Sequence, residues 1–371
     1  MTLLFYIFFA CLALYSLVLA WLALGFVRMP RFKAEEKLSP VPVSIIICAR
    51  NEEKNIVLCL RSVLLQQYPA NLMQIILIND ASTDATVSRA ESVLKDSGIS
   101  YRIISNAQQK GKKQSISYAM QFADNALIVL RDADTFTTSQ LWLSTVSEFW
   151  QTKHSDLIIA PVAIAHNFGI LWAMQAVENN ILTMLAGGST FYQKPFLCSG
   201  ANLAFTKTIF ERTNGYSSHL NVASGDDVLF MEDVKKIKGA KIDYLRSADA
   251  IVHTYPCYSF SDLLKQKIRW ASKFKQNRNK LNLLIAMLSF AVNLGWLFFL
   301  VYAYAAPGHK ALCLTFIFYK LLFDILLLFL AARFIRNKGL WWFALPVGCI
   351  YPIYACMVGA ASVFIKPKWK S

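Results

Sequence analysis

Apolar and polar positions follow two different patterns along this 371-residue chain. The stretch LLFYIFFACLALYSLVLAWLALGFV, residues 3–27, carries no charge, and a helix of that length crosses a hydrocarbon layer about 30 Å thick. Three further apolar runs, 283–306, 311–332 and 340–365, close the chain, each near the ~20 residues of a spanning helix. Between these ends the pattern changes to short, continuous apolar runs rich in Ile and Val: VSIIIC (43–48), QIILIN (74–79), YRIIS (101–105) and ALIVL (126–130). Stretches of helical length, 52–67, 83–96 and 112–123, separate them. Such alternation predicts βαβ units and a mostly parallel sheet buried on both faces. Ligands bind sheets of this kind at the carboxyl ends of the strands.

The expected organisation is an N-terminal transmembrane anchor (1–27), a cytoplasmic α/β domain (28–256), an amphipathic interface helix (257–282) and a C-terminal transmembrane region (283–371). An apolar content of 56% and a mean hydropathy of +0.39 set the chain apart from ordinary soluble enzymes. The positive charges Arg28, Arg31, Lys33 and Lys37 follow the first apolar run, which separates it from a signal peptide and turns its C-terminal side to the cytoplasm. A multi-pass protein of a bacterial inner membrane is the expectation. Arg333, Arg336 and Lys338 suit a cytoplasmic loop, whereas four full spans would put Lys366, Lys368 and Lys370 outside, against the positive-inside rule. Pro346, Gly348, Pro352 and Gly359 in the last run leave a re-entrant hairpin open, hence two to three C-terminal spans.

The formal charge of +15 suits contact with anionic membrane lipids and a phosphorylated substrate. No helix-turn-helix, zinc-finger or RNA-binding signature accompanies it, so nucleic acid is not an expected partner. The eight cysteines form no C-x-x-C pair, which argues against a zinc site or a disulfide framework.

Polar and acidic groups gather at the predicted strand ends. Ala49, Arg50, Asn51 and Glu52 follow the first strand, Asn79, Asp80 and Asp84 the second, and Arg131, Asp132 and Asp134 the fourth. Asp84 reads as a turn residue, and Asp80 as turn or ligand alike. Alternate residues of an extended segment point one way, so Asp132 and Asp134 would aim two carboxylates together. Two like charges need a counter-cation, and Mg²⁺ or Mn²⁺ binds one or two carboxylates together with substrate phosphates. Further on, CSGANLAF offers Ser199, Gly200 and Ala201, where a backbone can approach a ligand closely. In ASGDD, Asp226 reads as a helix N-cap and Asp227 as a candidate general base. The segment 259–280 places Phe260, Leu264, Ile268 and Ala271 at helical spacing opposite a basic face, as in a helix lying in the membrane interface. Gln266, Arg269 and Trp270 on that helix could meet a diphosphate or a sugar ring. Lys320 and Asp324, four residues apart in the third apolar run, can pair on one helix face.

The ordered set ARNEE, NDASTDAT, GKKQS, RDADT, CSGANLAF, GDD and QKIRW, over residues 42–272, resembles the membrane-bound family 2 glycosyltransferases. That group includes cellulose, chitin and hyaluronan synthases and ceramide glucosyltransferases. The resemblance implies a GT-A type α/β nucleotide-sugar-binding domain flanked by transmembrane helices, and inverting transfer to a lipid, lipid-linked or polysaccharide acceptor. It also implies roles: Ala49, Arg50 and Glu52 at the nucleoside, Asp80 at the base or ribose, and Lys112 near the nucleotide. Asp132 and Asp134 match the metal and diphosphate motif, Asp227 the base, and Gln266, Arg269 and Trp270 the Q-x-x-R-W motif. Arg50 replaces an aromatic residue that packs on uracil in several synthases, and Gly225-Asp226 replaces the commoner Thr-Glu. A processive synthase is the alternative, although the spans are few for a polysaccharide channel unless the chain forms a homo-oligomer. A membrane scaffold that binds nucleotide sugar without turnover is a reading from another class.

Overall fold

The computed structural model describes residues 2–35, 38–219, 225–271, 279–337 and 339–364. The basic residues Lys37, Lys338, Lys366, Lys368 and Lys370, and positions 272–278 of the expected interface helix, lie outside the described residues. The chain divides into two compact units: an α/β unit of Met29–Ala165 and Thr190–Tyr255, and a helical unit of Met1–Arg28, His166–Ser189 and Pro256–Ser371. Residues 166–189, which the sequence reading keeps in the central domain, thus group with the apolar helices.

The α/β unit is built on the four predicted runs, which form β1 (Val43–Ala49), β2 (Met73–Asn79), β3 (Ser100–Ser105) and β4 (Leu127–Asp132). Shorter strands follow: β5 (Thr135–Thr137), β6 (Leu157–Ile159), β7 (Val162–Ile164), β8 (Asn202–Thr206), β9 (Ile242–Tyr244) and β10 (Val252–Thr254). Seven of them make one sheet in the order β3-β2-β1-β4-β8-β6-β9, and β5, β10 and β7 make a second. The pairs β1–β2, β2–β3, β1–β4 and β6–β9 are parallel, while β8 runs antiparallel to both β4 and β6. The strand order reverses at β1, between β2 and β4, and it is outside the carboxyl ends at such a point that a crevice opens.

Burial on both faces accounts for the unbroken apolar runs. Ile45, Ile46 and Ile47 of β1 and Ile75, Ile76, Leu77 and Ile78 of β2 are wholly buried, each such side chain contributing roughly 1.5–3 kcal/mol over its exposed state. One face packs on Ile56, Leu60 and Val63 of α2 (Ile56–Leu64), Ala90 and Leu94 of α3 (Thr86–Leu94), and Trp142, Val146 and Phe149 of the later α5 (Trp142–Lys153). Between these helices in sequence lies α4 (Lys112–Ala119), which buries Ile116 and Ala119.

The helical unit contains α1 (Thr2–Arg28) and α6 (Ile170–Phe191), the latter as far as Ser189. In the α/β unit follow α7 (Lys207–Arg212) and α8 (Asp226–Lys236), and in the helical unit α9 (Phe260–Ala271), α10 (Lys280–Ala305), α11 (Lys310–Ile335) and α12 (Ala344–Phe364). Four helices of this unit, beginning at Thr2, Lys280, Pro307 and Leu340, are long and apolar enough to cross a membrane. A Cβ at Gly188 of α6 would lie 1.9 Å from the Leu22 carbonyl oxygen of α1, so the two backbones touch there. Lys320 sits 2.8 Å from Asp324, which also accepts a hydrogen bond from the Tyr15 hydroxyl at 3.0 Å. The pair therefore ties α11 to α1 as well as neutralising itself.

On α9 the buried face runs through Leu263, Lys267 and Ile268, whereas Phe260 of the expected stripe is 45% exposed. Ile268 of that stripe is buried as expected, and Lys267 shares the buried face by pairing with Glu178 of α6 at 2.9 Å.

Candidate active site

Strand register sets the site. Cys48 of β1 lies level with Asp132 of β4, and Ala49 with Asn79 of β2, so the polar loops after these strands share one edge of the sheet. The Ala49 carbonyl accepts a hydrogen bond from Asp80 N–H at 2.9 Å, tying the first loop to the second. Asn51, with φ 53, turns the chain so that its N–H donates to Ser82 Oγ and its Oδ1 accepts from Thr83 N–H. Glu52 donates its N–H to Thr86 Oγ1 at 2.8 Å and accepts from the Asn55 side chain at 2.7 Å. Arg50 differs from these: its Nη1 is buried and has no hydrogen-bond partner among the described residues. An orphaned buried donor at a strand's carboxyl end is suited to an incoming acceptor group.

Asp80 is buried and fully engaged. Its carboxylate accepts from Lys110 N–H at 2.8 Å, Gly111 N–H at 2.9 Å, Asn106 Nδ2 at 3.0 Å and Ser115 Oγ at 3.2 Å. It thereby folds the loop that ends in Gly111, whose φ of 84 starts α4 at Lys112. Asp84 accepts from Glu53 and Thr86 N–H groups, a turn role as expected.

Lys112 Nζ forms an ion pair with Asp132 Oδ1. The cation beside this carboxylate is thus, in the protein itself, a lysine. Burial pulls the Lys112 pKa down, but the carboxylates of Asp132, Asp226 and Asp227 outweigh it and hold the ammonium above the ordinary lysine value. Asp134 is not on the extended strand that simple alternation assumes, since β4 ends at Asp132 and Asp134 lies in the turn to β5. That turn is braced beneath the carboxylates: Arg131 donates to Thr135 Oγ1 at 3.2 Å, Thr135 donates to the Asp132 carbonyl at 2.7 Å, and the guanidinium lies 4.7 Å over the Trp142 ring.

Gly200 and Asp227 complete the cluster. The Gly200 N–H donates to Asp227 Oδ2 and the Val228 N–H to Oδ1, both at 2.9 Å. A Cβ at Gly200 would lie 3.2 Å from Lys112 Nζ and 3.6 Å from Asp227 Cβ, so only glycine leaves these groups undisturbed. Asp226 is the first residue of α8 instead of its N-cap; Gly225, with φ 91, takes the cap in the left-handed region that favours glycine. Freed from capping, Asp226 meets Lys113 at 3.3 Å. Burial raises its pKa, with Lys112 and Lys113 opposing the rise and Asp227 adding to it. Burial also pushes the Cys48 thiol up to about 12 and the Cys59 thiol up to about 11, so neither supplies a thiolate.

The structure thus brings together Lys112, Asp132, Gly200, Asp226 and Asp227, with Ala49 at the end of β1 and Arg50, Glu52 and Asp80 in loops at the same sheet edge. Gln266, Arg269 and Trp270 belong to the helical unit, on α9. Lys113 is a member that sequence reasoning missed. It donates to the His219 carbonyl at 2.6 Å as well as pairing with Asp226. The signal was present, because two lysines in the first turn of a helix oppose its dipole and require nearby carboxylates. Among the described residues no group of three or more His, Cys, Asp or Glu side chains is arranged to hold a metal. Two carboxylates do fit a hard divalent cation that draws its other ligands from water and phosphate.

The mostly parallel sheet with its acidic carboxyl edge defines a GT-A-like α/β fold. Over 97% of this chain and 99% of the other it matches mannosyltransferase PcManGT from Pyrobaculum calidifontis, solved in complex with GDP-Man and Mn²⁺, with a TM-score of 0.60 at 16% identity. Residues 44–213 match the family model for glycosyl transferase family 2. Glycosyltransferase AglE of Haloferax volcanii is 24% identical over 229 residues, 61% of this chain and 71% of that protein. An uncharacterized glycosyltransferase of Haemophilus influenzae is 25% identical over 206 residues, 52% of this chain and 58% of its own length. The chain is a glycosyltransferase, and the match to the family 2 model covers just under half of it.

Proposed function

We propose that the chain is an inverting glycosyltransferase that moves a sugar from a nucleoside-diphosphate donor to a hydroxyl of a lipid or lipid-linked acceptor at the cytoplasmic membrane face. The observation that carries this reading is the juxtaposition of Asp227 with Gly200 and Lys112, beside Asp132 at the carboxyl edge of β4. A base and a diphosphate-facing cluster so placed leave the acceptor hydroxyl and the leaving group on one small site. Asp132 and Asp134 would hold Mg²⁺ or Mn²⁺, which supplies charge neutralisation at the departing diphosphate. Support for that metal comes from the Pyrobaculum enzyme, solved with Mn²⁺.

The chain's own residues do the rest. Ala49, Arg50, Glu52 and Asp80 border the nucleoside, and the unpartnered Arg50 Nη1 is available to its acceptor groups. Asp227, fixed in direction by two backbone N–H groups, takes the proton of the acceptor hydroxyl as the new bond forms. Attack opposite the leaving group inverts the anomeric centre. Gln266, Arg269 and Trp270 carry acceptor and diphosphate roles on the strength of their motif. The lipid acceptor is favoured by the four helices among the described residues that are long and apolar enough to cross a membrane, few for a polysaccharide channel.

The test uses the full chain in detergent with Mn²⁺ or Mg²⁺, a panel of nucleotide sugars, and membrane lipid extract present or absent. Release of nucleoside diphosphate from one donor class, enhanced by lipid, is expected. Asp227→Asn should bind donor as before while turnover falls roughly 10²–10⁴-fold, the usual contribution of a positioned base. Normal turnover in that variant removes Asp227 from the base role, and no release from any donor overturns the reading.

A further inference from the structure

We propose that Lys112 is an internal counter-ion that competes with the divalent cation for Asp132, so that the metal enters together with the nucleoside diphosphate and not before it. This rests on the reading of Asp132 and Asp134 as metal carboxylates.

The geometry sets one ammonium directly on a carboxylate that the metal reading assigns to the cation. Lys112 Nζ is paired with Asp132 Oδ1, and it lies 3.2 Å from where a Gly200 Cβ would stand, beside Asp227. A divalent ion brought to Asp132 would therefore meet a fixed positive charge, and like charges in a partly desolvated site exclude one another. The remaining donor set is thin: among the described residues no third acidic, imidazole or thiol group joins the two carboxylates into a metal-binding cluster. Two carboxylates, with Asp132 already paired to Lys112, are a poor site for a bare cation whose bound state depends on phosphate oxygens.

Lys112 is also built to let go. Its backbone is anchored, because Asp80 accepts the N–H groups of Lys110 and Gly111 immediately before it. Its side chain is a flexible four-carbon stem carrying a point charge, so the tip can change partner while the helix stays still. In the first turn of α4 the helix dipole gives a cation no support, which leaves the carboxylates as its principal anchor. An incoming diphosphate offers the ammonium new anionic oxygens. Asp132 is then released to the metal, and at each stage the carboxylates keep a cation. Lys113, paired with Asp226 and the His219 carbonyl, stays in place and holds the neighbouring charge.

The experiment is a Mn²⁺ titration of the purified full chain, read by the loss of the free-Mn²⁺ EPR signal, without nucleotide and with GDP or UDP. Lys112→Met and Lys112→Gln should bind Mn²⁺ alone at least tenfold more tightly than the wild type, and nucleotide should enhance their Mn²⁺ affinity less than it does in the wild type. Adding Asp132→Asn to Lys112→Met should abolish the gain. Equal or weaker Mn²⁺ binding in both variants overturns the proposal, as does full donor turnover by the wild type in EDTA. A measurement on the wild type alone avoids any dependence on the variants folding. Mn²⁺ alone should leave its thermal unfolding unchanged, while Mn²⁺ with nucleotide should raise the midpoint by more than the two separate shifts combined. A shift with Mn²⁺ alone as large as with nucleotide contradicts the competition. Donor turnover persisting while these binding results fail would sink the competition and leave the glycosyltransferase reading intact.

Discussion

Gly200 is the residue whose replacement probes the site with the smallest chemical change. A single methyl there would press on the Lys112 ammonium at 3.2 Å and approach the Asp227 side chain at 3.6 Å. Lys112 can yield, being the far end of a flexible chain, so the expected result of Gly200→Ala is intact folding with turnover lowered roughly tenfold, a modest share of the ~10² that a 1 Å misplacement can cost. Steady-state kinetics beside an unfolding scan checks it: unchanged kcat/KM means the glycine is not needed for close approach. Asp132, Asp134 and Asp227 were singled out by their order along the chain; the structure sets Asp132 and Asp227 beside Lys112 and Asp134 in the turn after β4, and their proposed roles rest on the order of the motifs. Lys113 was not, since its meaning depends on Asp226 and His219, more than a hundred residues away in sequence. Asp226 was misread as a cap because a preceding glycine in the left-handed region can take that position.

The loop between β3 and α4 shows how one buried side chain shapes an element. Asp80 accepts four hydrogen bonds from that loop and helix, two from backbone and two from the buried Asn106 and Ser115. Water can replace it at the exposed loop but not beside Asn106 and Ser115. Asp80→Ala should therefore destabilise the chain by about 2–6 kcal/mol, at ~1–3 kcal/mol for each of the two buried groups left unsatisfied, and raise KM for the donor by displacing Lys112. A thermal scan with donor titration measures both, and a variant with wild-type midpoint and KM would show that Asp80 does not organise the loop. The long strands were readable because burial on both faces leaves an unbroken Ile/Val run. The three-residue strands β5, β6, β7, β9 and β10 and the antiparallel β8 were not, because so short a run fixes no period. Nor was α6 anticipated, since its buried polar residues, Gln175 and Asn180 among them, interrupt the apolar stripe by which a helix is recognised.

For the whole molecule, one half-buried imidazole gives stability a pH dependence. Burial and the Arg131 charge lower the His253 pKa below its ordinary value, which is about 6.5. As pH falls below that value the unfolded chain takes up a proton that the folded chain refuses, so folding is weakened there and recovers as pH rises through it. The unfolding midpoint should rise from about pH 5.5 to 7, and His253→Gln should flatten that slope; an unaltered slope would assign it elsewhere. The proposed transfer of sugar to a lipid, with Asp227 as base, is also a property of the whole molecule. The most direct measurement supplies radiolabelled nucleotide sugar and membrane lipid extract to the purified full chain and counts label in the organic phase. Organic-phase label is expected with the wild type and background label with Asp227→Asn. Equal label in both proteins, or label confined to water-soluble polymer, would contradict the proposed transfer.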